Sequence, residues 1–173
     1  RLHHPNLVEI YDVDQVDGHP FVAREYMDGV PLSTYLAACR DRGTTPSVAL
    51  ALYITSELCR ALAYLQGLTD AEGRPKPVAH GNLVTESIFL GRQGAVKLTD
   101  FRAPEVESPT AHHDLVDVAH LCHTILLSGA PTDEERDTLA SVPPRLAAVL
   151  RRTIAGHLDA DGLQDGVIDF GFD

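Results

Sequence analysis

Apolar and polar residues alternate from Leu7 to Val13 (LVEIYDV), the two-residue period of a strand with one packed face. Asp17-Gly18 then supplies a turn, and Pro20 to Tyr26 (PFVAREY) runs extended. Asp28-Gly29 breaks this second strand, and Leu32 to Arg40 reads as a short helix. A longer helix opens at Thr45-Pro46, a capping side chain followed by a proline whose missing N–H costs nothing there. It runs to about Gln66, with Gly67 as a left-handed stop, and Val48, Leu52, Leu58, Leu62 and Leu65 recur at helical intervals. Residues 68–77 (LTDAEGRPKP) form a polar surface loop. Two short strands follow, Ser87 to Leu90 and Ala95 to Leu98, joined by a turn around Gly91 to Gly94. From about Leu115 the pattern is helical again. Thr132 with Glu135 is a capping box, and a further helix runs from near Pro144 to Gly156. This order is not a parallel α/β alternation; it predicts an α+β domain dominated by helices.

Composition narrows the function classes. The 173 residues carry 25 Asp plus Glu against 14 Lys plus Arg, a net charge of -11. That balance argues against a nucleic-acid surface, which needs clustered basic side chains, and favours a basic protein partner. Only Lys76 and Lys97 are lysines; the other 12 basic residues are arginines. The longest apolar run, Val48 to Ile54, is seven residues, so no membrane segment is expected. The chain starts at Arg1 without a signal-peptide pattern and reads as a piece of a longer, cytoplasmic product. Cys39, Cys59 and Cys122 are odd in number, sit in apolar helical patterns and have no zinc spacing, as befits reduced buried thiols.

Two segments are more specific. HGNLVTESIFL (His80 to Leu90) followed by VKLTDF (Val96 to Phe101) resembles the catalytic loop, H-R-D-x-x-x-x-N, and the D-F-G metal motif of protein kinases. HHPNLV (His3 to Val8) is similar to the segment that follows the small-lobe helix. PFVAREYMDGVPL (Pro20 to Leu32) is similar to the last small-lobe strand and the hinge, and DVAHLCHTILLSGAP (Asp117 to Pro131) to the central large-lobe helix. The resemblance spans roughly residues 2–165. It implies a kinase-like fold in which 1–30 are a remnant of the small lobe and hinge, 31–158 the helical large lobe, and 159–173 an acidic tail or truncated end.

Residue by residue, the resemblance implies a damaged catalytic site. Asn82 stands at the catalytic-base position, where an amide offers no titratable acceptor; base catalysis is worth about 10² to 10⁴ in rate. Val84 replaces the loop lysine, and Ser87 the metal-binding asparagine. Asp100 keeps the other metal role, a vestigial magnesium ligand, but Arg102 replaces the glycine after Phe101. Glu25, Tyr26 and Met27 fall on the hinge, Arg24 on the gatekeeper position and Phe89 beneath the adenine, so that Arg24 and Phe89 are expected to fill part of the nucleotide cavity. Neither lysine falls where the small-lobe phosphate lysine belongs, and no GxGxxG is present. Ala103-Pro104-Glu105 matches the A-P-E that ends an activation segment but follows Asp100-Phe101 directly, while Asp165 replaces the arginine that pairs with that glutamate in the family. His80 and Phe101 fit the regulatory spine, and Asp117 the helix aspartate that anchors the catalytic loop.

Three readings follow. The leading one is a catalytically impaired, pseudokinase-like regulatory or protein-binding module with no cofactor. The alternative is an ATP- and magnesium-dependent Ser/Thr kinase, residually active when the full small lobe is present. The third is a metal-dependent helical enzyme, because His113, Asp117 and His120 share a helix face, with His112 and His123 nearby.

Overall fold

The computed structural model describes residues 2–102 and 111–127, together with positions 148, 152 and 165. Strands β1 (Ile10–Val16) and β2 (His19–Arg24) pair antiparallel as a hairpin. Its tip is the expected Asp17-Gly18 turn: both residues have positive φ, 50° and 80°, the geometry that matches the twist of a tight hairpin. The ladder begins at Ile10 and not at Leu7, because residues 6–8 are paired with a different strand. Val8 N–H donates to Leu98 O (2.9 Å) and Leu98 N–H to Asn6 O (2.8 Å).

The chain then passes to a second sheet. Strand β3 (Gly29–Pro31) pairs with β4 (Ile88–Gly91), which pairs with β5 (Val96–Leu98), all antiparallel in the order β3-β4-β5. Asp28-Gly29 is therefore a switch between sheets, where a simple break was expected. Gly29 is obligatory: a Cβ there would lie 2.1 Å from Leu90 O.

Helix α1 (Leu32–Asp41) follows at once, and α2 spans Val48–Gln66. The cap of α2 is Ser47, whose hydroxyl accepts from Leu50 N–H (3.1 Å); Thr45 and Pro46 stand before it. Gly67 has φ −82°, so no left-handed residue stops the helix; its N–H simply bonds to Ala63 O. Helix α3 covers Ala111–Leu127, starting four residues before the expected Leu115. The A-P-E segment, the Thr132 capping box, the helix expected over 144–156 and the acidic tail fall outside the described residues, single positions apart.

The core lies where α2 packs on α3 and β5. Leu32, Ile54, Leu58, Leu62, Leu65, Ile88, Leu98 and Ile125 are all fully buried there. By length and mean hydropathy (1.4), α2 is apolar enough to cross a membrane, but that hydropathy resides in the face turned into this core. The three cysteines are free and buried, and burial pushes the Cys122 thiol up to about 11.

Candidate active-site cleft

The loop between α2 and β4 is fastened from three sides. His80 has 0% exposure, and its ring lies 4.3 Å from that of Phe101, so the two expected spine residues do meet. Burial lowers the His80 pKa to about 4, which keeps the ring neutral. Its partners fix the tautomer: Nε2–H donates to Thr99 O (3.0 Å), and Nδ1 accepts from Asn82 N–H (3.3 Å). Gly81, where the kinase motif has arginine, has φ 71°, a conformation glycine adopts without strain.

The anchor from below is Asp114, which corrects the expectation of Asp117. Asp114 is 1% exposed; Oδ2 accepts from His80 N–H (2.7 Å) and Oδ1 from Gly81 N–H (2.8 Å). Burial raises its carboxyl pKa, against the pull of those two donors. Asp117 is only partly buried, and both burial and the Asp114 charge push its carboxyl up. The early start of α3 puts Asp114 in the first turn beside the loop, where a carboxylate also suits the helix dipole. The spacing of HDLVD alone does not choose between the two.

At the expected catalytic positions, Asn82 Nδ2 donates to Asp100 O (2.9 Å), so its amide straps one backbone segment to another. Val84 is exposed. Ser87 is 1% exposed, and its hydroxyl closes its own loop, 2.7 Å from Asn82 O and 2.9 Å from Val84 O, while accepting from Val84 N–H. Asp100 is not among these partners. Asp100 itself has φ 60° and an exposed carboxylate, which Arg24 Nη1 approaches to 3.2 Å.

A cavity of about 210 Å³ brings together the expected hinge residues Glu25, Tyr26 and Met27 with Phe89. Arg24 is not among its lining residues and reaches Thr99 and Asp100 instead. Lys97, which motif reasoning set aside, does line the cavity and ion-pairs with Glu25 (2.5 Å). Burial alone would raise the Glu25 carboxyl, but the Lys97 hydrogen bond, the Glu9 N–H and the ammonium charge hold it below the usual range. Strand periodicity offered the missing signal: Lys97 is the cross-strand partner of Phe89 and shares its face.

The proposed histidine site does not assemble. His113 and His120 are exposed whereas His123 is buried, and no group of three or more His, Cys, Asp or Glu side chains converges among the described residues.

A family model described as protein tyrosine and serine/threonine kinase matches residues 1–113. The chain belongs to the protein kinase family. Among its relatives, the tyrosine-protein kinase MasK of Myxococcus xanthus is 31% identical over 109 residues, covering 62% of this chain and 17% of MasK. The serine/threonine-protein kinase PknI of Mycobacterium tuberculosis is 29% identical over 157 residues, covering 86% of this chain and 26% of PknI. The crystal structure of the PknI kinase domain superposes with a TM-score of 0.75 at 22% identity, covering 98% of this chain and 73% of that one. The α+β kinase fold is thereby established. The kinase-family chain spans about a sixth to a quarter of the length of these curated relatives.

Proposed function

We propose that this kinase-family domain has lost phosphoryl transfer and serves as a regulatory or protein-binding module of a larger signalling protein. The observation that carries the reading is Asn82. The residue at the catalytic-base position is an amide, and its N–H₂ is directed at Asp100 O, so it has no basic site for the hydroxyl proton of a substrate. Val84 and Ser87 support it: one brings no charge to the transferred phosphate, and the other has turned its oxygen into its own loop.

An acidic chain of net charge -11 suits a partner with a basic surface in the cytoplasm, with an association rate that falls as salt rises. A second reading, a residually active ATP-dependent Ser/Thr kinase, is favoured by one feature: Asp100 is retained with its carboxylate exposed. Transfer from labelled ATP by the full-length parent protein separates the two. Incorporation no higher than in an Asp100→Asn control supports the module, and turnover abolished by that substitution supports the enzyme. A clear rise in Tm with ATP would also refute the idea that Phe89 obstructs the nucleotide cavity.

A further inference from the structure

The kinase resemblance implies a divalent cation at Asp100, and the residues present do not fit one. Magnesium takes six oxygen ligands at about 2.0–2.1 Å in near-octahedral geometry. Ser87, at the position of the second protein ligand, is buried, with its hydroxyl held by Asn82 O and Val84 O. The Asn82 amide presents N–H₂ to the Asp100 backbone, not an oxygen.

A cationic side chain approaches that carboxylate. Arg24 Nη1 donates to Thr99 Oγ1 (2.7 Å) and to Asp100 Oδ1 (3.2 Å), and Thr99 O–H donates to the same Oδ1 (3.2 Å). Oδ1 therefore already accepts two donors, one of them permanently charged. The aim of Arg24 is built into the hairpin. It is the last residue of β2, opposite Ile10, and the ladder register shifts between Ile10 and Asp12. Such irregularities redirect the strand end beside them.

We propose that Arg24 is a built-in counter-ion that replaces the divalent cation at Asp100, so that this cleft excludes Mg²⁺ and Mn²⁺ from that carboxylate. The inference rests on the proposed function only for the identity of Asp100 as the family's metal-site residue.

Mn²⁺ is the probe, read as paramagnetic broadening of backbone amide signals in the isotope-labelled 173-residue chain. Wild type is expected to show no broadening centred on Thr99 to Phe101 beyond that of an Asp100→Asn control. Arg24→Met combined with Ser87→Asn, which removes the guanidinium and restores a second ligand, is expected to bind Mn²⁺ there. The gain should be on the order of tenfold or more, as one unit of like charge within about 4 Å of the ion is removed. Broadening at Asp100 in wild type that Asp100→Asn abolishes would overturn the proposal without needing any variant of Arg24. A folded double variant with no gain would overturn it too. Phosphate transfer by the parent would refute the proposed function yet leave the wild-type Mn²⁺ result standing. Mn²⁺ at wild-type Asp100 would refute this inference and leave the amide at Asn82 unchanged.

Discussion

Acid should weaken this fold chiefly through His80. Its pKa is 6.5 in an unfolded chain and about 4 in the folded one, where burial disfavours the charged form. Between those values the unfolded chain binds a proton that the folded chain does not. Stability is thus complete above pH 6.5 and is lost as pH falls towards 4. A difference of roughly 2.5 pH units is worth about 3 kcal/mol, a large share of the stability of a typical domain. Protonation would also turn Nδ1, which accepts from Asn82 N–H, into a donor facing a donor. Other groups titrate nearby: Asp114 and Asp117, raised by burial, act in the opposite direction, and His4, lowered mainly by burial, acts in the same one. The clean test is therefore a comparison. Urea unfolding of wild type and His80→Phe is followed from pH 7.5 to 4.5, about one unit above the unfolded histidine value and half a unit above the folded one. The phenyl ring keeps the contact with Phe101 but cannot titrate, so the variant should start about 1–3 kcal/mol lower and lose less as the pH falls. Parallel curves for the two proteins would refute the assignment of the acid sensitivity to His80.

Asp114→Ala leaves one buried and one part-buried N–H group unpaired and should cost about 2–4 kcal/mol, whereas Asp117→Ala should be neutral or slightly stabilising; urea midpoints decide, and the reverse order would restore Asp117 as the anchor. Ser87→Ala removes a buried hydroxyl from three loop contacts and should cost about 1–3 kcal/mol in thermal unfolding, with no cost expected only if the serine is idle. Gly29→Ala drives a methyl into Leu90 O and should cost about 1–3 kcal/mol or more, with faster hydrogen exchange along β3 and β4 as its local signature.

What was legible in the sequence was local. The hairpin turn is written in Asp17-Gly18, because two adjacent left-handed residues restrict the choice of side chain. Strand β3 was not legible: three residues beginning with glycine become a strand only by pairing with β4, far along the chain. The start of α2 was ambiguous because Thr45, Pro46 and Ser47 are all plausible opening residues, and which of them caps depends on where the helix packs. The assignment of Asn82, Val84, Ser87 and Asp100 to catalytic positions is an expectation from the motif resemblance. What each of them touches was not legible there, since the inward turn of the Ser87 hydroxyl and the reach of Arg24 to Asp100 depend on contacts between distant segments. Asp114 shows the same limit, as two carboxylates one helical turn apart are distinguished only by the helix's docking angle.

The central claim, a kinase fold without kinase chemistry, is tested most directly by single-turnover phosphoryl transfer in the full-length parent, with wild type and Asp100→Asn measured side by side. Kinases turn over at about 1–100 s⁻¹. Loss of the base at Asn82 alone predicts a rate about 10² to 10⁴ lower, and the further changes at Val84 and Ser87 predict no transfer distinguishable from the Asp100→Asn protein. Wild-type transfer in the ordinary kinase range, abolished by Asp100→Asn, would contradict the account.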